Sequence, residues 1–126
     1  MCVRTCLCVC VYADNVTHSS AYQCGSTAIS ANVATGCVGI GIGSASYGVY
    51  AGVANSCYGQ ATIGYGLYAN FTANGCYGYS TSNYGLDAAV AIGCYGYSYS
   101  GTGLAVYIAN SCYGNSQSIS YKYNMP

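Results

Sequence analysis

From Leu86 every second residue is apolar or small: Leu86, Ala88, Val90, Ile92, Cys94, Gly96 and Ser98. Asp87, Ala89, Ala91, Gly93, Tyr95, Tyr97 and Tyr99 lie between them. A period of two predicts a strand with one buried face. The same pattern recurs along the chain. A large aliphatic residue follows a turn at Val11, Ile29, Val49, Leu67, Leu86 and Leu104, in steps of 18, 20, 18, 19 and 18. Eight or nine residues after each comes a second marker: Ser19, Cys37, Cys57, Cys76, Cys94 and Cys112. The unit is therefore 18 residues with rare insertions, and a chain of 126 residues holds seven.

A short fixed period combined with strand alternation predicts an all-β fold, a single-chain β-solenoid (β-helix) of about seven coils. Coils stacked at about 4.8 Å make a rod of about 34 Å. Eighteen residues divide into three sides of six, which favours a left-handed coil over a right-handed or two-sheet one. Residues 1–10 form an irregular Cys-rich segment or an incomplete first coil, residues 11–117 carry the repeats, and residues 118–126 form a C-terminal strand.

Stacking turns each repeated position into a column. The predicted inward columns are the aliphatic one, an alanine one (Ala13, Ala31, Ala51, Ala69, Ala88) and the cysteines. A Thr/Asn column (Thr17, Thr35, Asn55, Asn74, Asn110, broken by Ile92) precedes Gly36, Ser56, Gly75, Gly93 or Ser111, which reads as a corner. Tyr-Gly before the aliphatic residue (Tyr47, Tyr65 and Tyr84 with Gly48, Gly66 and Gly85) reads as another. Gly39, Gly59, Gly78, Gly96 and Gly114 form a column inside a strand, where glycine is normally unfavourable. They imply a thin cross-section in which opposing backbones nearly touch. Outward stand Tyr58, Tyr77, Tyr95 and Tyr113, flanked by Tyr79 and Tyr97: an uncharged tyrosine face.

Composition sharpens the picture. Charged residues are 3% of the chain and the net charge is zero, so nothing draws it to nucleic acid or an anionic membrane, and little opposes self-association. No apolar run reaches a membrane span. Met1–Ala13 has the order of a very short signal peptide, but Val11 and Ala13 already fit the repeat. No helix caps either end, and Arg4 and Lys122 place one charge near each.

The candidate chemistry is sparse. Cys37, Cys57, Cys76, Cys94 and Cys112 form one column, which favours packed thiols over disulfides between coils and over a metal site, because a line of ligands does not converge. Cys2, Cys6, Cys8 and Cys10 are dense enough to bridge another chain or bind zinc, with simple packing preferred. His18 reads as a surface or corner residue rather than a catalytic base. Gly39–Gly43 lacks the lysine of a phosphate loop, and Asp87 stands alone on the outer face. Asn15 and Asn70 open glycosylation sequons.

The segments GCYGYS, GTGL, YAN and ANSCYG and the closing YKYNMP resemble a family of Gly/Tyr/Cys-rich tandem-repeat β-solenoid proteins of environmental bacteria, over about Ile29 to Pro126. The resemblance implies no activity. The expectation is a non-enzymatic structural protein without cofactor or metal, the subunit of an extracellular or cell-surface fibril formed by end-to-end or lateral self-association. The alternative is an adhesin or phage-fibre-like module that holds glycans on its tyrosine face.

Overall fold

The computed structural model describes residues 10–43 and 46–125. They form thirteen strands and no helix: β1 (Val11–Thr17), β2 (Ser20–Cys24), β3 (Ile29–Thr35), β4 (Val38–Gly41), β5 (Tyr47–Asn55), β6 (Tyr58–Ala61), β7 (Tyr65–Asn74), β8 (Tyr77–Ser80), β9 (Leu86–Ile92), β10 (Tyr95–Ser98), β11 (Leu104–Asn110), β12 (Tyr113–Gly114) and β13 (Gln117–Tyr123). The odd-numbered strands make one seven-stranded sheet and the even-numbered strands one six-stranded sheet, both in sequence order. All pairings are parallel. The fold is a β-solenoid of six full coils, with β13 adding a seventh strand to the larger sheet. Each coil is one long strand, one short strand and a loop.

The register reproduces the repeat. Val11, Ile29, Val49, Leu67, Leu86 and Leu104 pair in one column. Ile29 and the four residues after it in that column are fully buried. The alanine column is in register too and buried from Ala31 to Ala88, while Ala13, in the outermost strand, is exposed.

The alternation read from Leu86 to Ser98 does not hold throughout. Val90 is half-buried and Ile92 is 45% exposed, whereas Ala91 is fully buried. The ladder between neighbouring long strands omits the residue at Ala89 and its equivalents Asn32 and Tyr107. The chain bends there, so the next inward side chain comes three residues on rather than two. A second buried column follows the bend: Val16, Ala34, Ala54, Ala73, Ala91 and Ala109. In β7 the bend takes two residues, Asn70 and Phe71, which accounts for one of the longer repeats.

The predicted corner before each cysteine is a column of left-handed residues: His18, Gly36, Ser56, Gly75, Gly93, Ser111 and Asn124 all have positive φ. Backbone bonds continue through it, as in Gly75 N–H to Ile92 O (2.8 Å) and Gly93 N–H to Asn110 O (2.9 Å). Outside it, the Asn74 amide donates to Asn55 Oδ1 (3.0 Å).

The cross-section is as thin as the glycine column implies. A Cβ built on Gly39, Gly59, Gly78 or Gly96 would overlap the carbonyl oxygen of Gly48, Gly66, Gly85 or Gly103 on the facing segment, at or just before the long strand. The core is therefore one aliphatic column, two columns of mostly alanine and one of cysteine, and inter-coil hydrogen bonds carry much of the cohesion.

Both ends of the described chain depart from the repeat. Near the N-terminal end Cys10 is joined to Cys24 by a disulfide, with Cα atoms 6.1 Å apart. Cys10 thus pairs within the chain instead of simply packing, because the first turn carries it alongside β2. Cys2, Cys6, Cys8 and Arg4 lie outside the described residues. At the other end, β13 follows Leu104 by only 13 residues. Gln117 occupies the leucine column and Lys122 the second alanine column. Ile119 and Met125 pack against the core edge. The last short strand ends differently: Asn115 Oδ1 accepts the Ser98 N–H (3.0 Å) and its amide donates to Ser98 O (2.7 Å). One side-chain amide thus takes the place of the next backbone rung. At this end a polar strand and one asparagine cover the last full coil.

Candidate functional site

The outer face of the smaller sheet carries the predicted tyrosine array. Short strands place residues at every second position outward, so Tyr58, Tyr77, Tyr95 and Tyr113 align in register. Their rings stack nearly parallel, with centroids 5.1, 4.9 and 5.2 Å apart and planes within 8, 8 and 19°. Tyr79 and Tyr97 stack beside them at 5.6 Å and 3°. Tyr58 donates its hydroxyl proton to Gln60 (2.9 Å). Burial among the rings pushes the Tyr58 and Tyr77 hydroxyls above their ordinary pKa. The array is chemically uniform: ring faces meet one another, and ring edges and hydroxyls point outward.

A second aromatic cluster lies on the larger sheet. Tyr47, Tyr65 and Tyr84 form a tilted column at 5.2 and 4.9 Å. Tyr50 and Tyr68 stack beside it at 5.3 Å and 12°. Edge contacts tie the two columns together. Sequence reasoning read Tyr47, Tyr65 and Tyr84 as corner residues only. Their spacing of 18 and 19 residues was the available signal.

Below Tyr68 the column changes. Its register partner is Asp87, followed by Ala105 and Ser118. The stack stops and an open groove of about 390 Å³ begins. Asp87 lies half-buried on this outer face, and loss of solvent raises its carboxyl above the ordinary value of 3.8. Asp14, in contrast, accepts a hydrogen bond from Asn32 (3.0 Å).

The cysteine column is buried and unbridged: Cys37, Cys57, Cys76, Cys94 and Cys112 are all free thiols. Each sulfur lies 3.2–3.4 Å from the carbonyl oxygen two residues earlier. Cys57, Cys76 and Cys94 each donate a backbone N–H to the next sulfur at 3.4–3.5 Å. Burial pushes Cys37 and Cys112 up. Hydrogen bonding among the side chains of the column pushes Cys76 up and draws Cys57 and Cys94 down. A thiolate there is still shielded from attack by any reagent in water.

The remaining candidates are dispersed. His18 is exposed at the left-handed corner, and Gly39 and Gly41 are buried in β4. Asn15 and Asn70 are both exposed, and Asn70 sits at the bend beside the inserted Phe71, which is 66% exposed. Among the described residues no three His, Cys, Asp or Glu side chains converge as metal ligands would. The chain matches no protein-family model. No curated protein and no solved structure matches it either. The chain is a Tyr-rich repeated β-solenoid.

Proposed function

We propose that this chain is a structural protein, a protomer that associates side by side with further copies through the outer face of its smaller sheet, in a fibril at or beyond the cell surface. One observation carries the reading: the unbroken tyrosine array. It presents a flat, uncharged face of ring edges and hydroxyls that repeats over four successive coils. A second copy repeats at the same spacing of about 4.8 Å, so contacts made by one coil recur at every other. Net charge of zero leaves little repulsion to oppose this.

Lateral association is favoured over end-to-end growth. Gln117 and Lys122 stand where an end-on neighbour would need leucine and alanine. Inward-pointing polar residues on an edge strand oppose pairing. The Cys10–Cys24 disulfide supports an oxidising location. Kinship with Gly/Tyr/Cys-rich repeat proteins of environmental bacteria belongs to the same reading, as does the absence of catalysis.

Sedimentation velocity and electron microscopy of the wild type and of a Tyr77→Lys/Tyr95→Lys variant test it. The expected result is laterally associated rods in the wild type and single protomers in the variant. Monomers at all wild-type concentrations, or assembly unchanged in a folded variant, would overturn it.

A further inference from the structure

The outer surface of the solenoid offers two kinds of tyrosine, and they differ in what their ring faces touch. In the column from Tyr58 to Tyr113 each interior ring lies between two others at 4.9–5.2 Å. Those faces are occupied, so a sugar ring has nothing there to lie against. Tyr68 differs: one face stacks on Tyr50, and the other looks along the axis toward the Asp87 rung. Tyr107 meets Tyr121 edge-on at 79° and is 57% exposed. These two rings bound the groove described above.

Small residues, Ala89 and Ala105, line the middle of that groove, and Ala105 stands in the column that holds Tyr50, Tyr68 and Asp87 in earlier coils. Its polar groups are Asp87, Asn70, Ser118 and Ser120. They supply one strong acceptor, one amide that both donates and accepts, and two hydroxyls. From Asn70 through Ala89 and Tyr107 to Ser120 the groove crosses four rungs, about 14 Å along the axis. It is an open trough, shaped for a chain that passes through.

We propose that this groove binds a short stretch of neutral oligosaccharide, with sugar rings lying against Tyr68 and Tyr107 and hydroxyls donating to Asp87. Tyrosine rings offer an apolar face to the C–H side of a pyranose, while a half-buried acceptor with no charged partner among the described residues selects hydroxyl donors. Binding is independent of the assembly proposed above, because it uses the larger sheet and leaves the smaller one free.

Isothermal titration calorimetry tests the proposal, with a panel of α- and β-linked hexose and N-acetylhexosamine tetrasaccharides on the whole chain. At least one is expected to bind with Kd at or below about 1 mM. Ala105→Tyr, which fills the missing rung, is expected to abolish binding. Asp87→Asn keeps the shape and is expected to weaken binding about tenfold, so the test stands even if Ala105→Tyr does not fold. Tyr97→Phe, on the other sheet, is expected to bind as the wild type does. Heat from no member of the panel, or affinity unchanged in both groove variants, would overturn the assignment.

Discussion

The two tyrosine arrays differ in one respect that decides what each can do. On the smaller sheet tyrosine recurs in four successive coils, and the rings consume one another's faces. On the larger sheet the Tyr50–Tyr68 stack ends after two rungs, and Asp87 and Ala105 follow. In a solenoid a side chain's neighbours above and below are its counterparts in adjacent coils, so the repeat decides surface chemistry column by column. Perfect repetition builds a closed, rigid, self-similar face. A single departure ends the stack, frees a ring face and opens a depression. Regularity thus suits assembly, and irregularity suits recognition.

The strongest way to break the comparison is from below. The closed array rests on the glycine column, and Gly78 has no room for a methyl group beside the Gly85 carbonyl and the Leu86 side chain. Gly78→Ala is expected to cost at least about 3 kcal/mol, the upper end for overpacking, read as a loss of cooperative unfolding by circular dichroism. Gly93→Ala is the control. Nothing lies near its Cβ and only the left-handed φ of 59° opposes it, so about 1 kcal/mol is expected. Equal costs at the two sites would contradict the thin cross-section.

Next come the stacks themselves. Tyr95→Ala removes contacts with both Tyr77 and Tyr113 and is expected to cost about 1–3 kcal/mol in chemical denaturation. Asp87→Tyr would extend the interrupted stack and is expected to stabilise the protein by about 0.5–1.5 kcal/mol. A destabilised Asp87→Tyr would show that the interruption is not a missing rung.

The smallest effect is a pH dependence. Burial raises the folded-state pKa of Asp87 above its ordinary value, so the folded chain holds that proton more tightly than the unfolded chain does. Stability is then greatest below the ordinary carboxylate range and declines as pH rises through the raised folded pKa. Asp87→Asn is expected to flatten that decline in thermal melts across the acidic range. An unchanged profile would mean that the groove leaves this carboxylate fully hydrated.

The one-dimensional pattern carried much of this structure. Recurrence every 18 residues placed Val11 through Leu104 in one column, the cysteines in another and the tyrosines in a third, because stacking coils converts sequence period directly into spatial neighbours. The glycine column announced backbone contact for the same reason: only hydrogen fits there. The tertiary structure decided what depends on the shape of a single coil. Strict alternation cannot show the bend at Ala89 that turns Ala91 inward and Ile92 outward, since the bend arises from closing the coil around a narrow core. Nor does a repeat say which cysteine Cys10 meets, and its bridge to Cys24 ties the start of β1 to the end of β2. The groove over Asp87 was hidden similarly. Its residues come from four successive strands of the larger sheet, and it exists because one column passes from Tyr68 to Asp87, Ala105 and Ser118 while Tyr107 stands between the small residues Ala89 and Ser120 in the next.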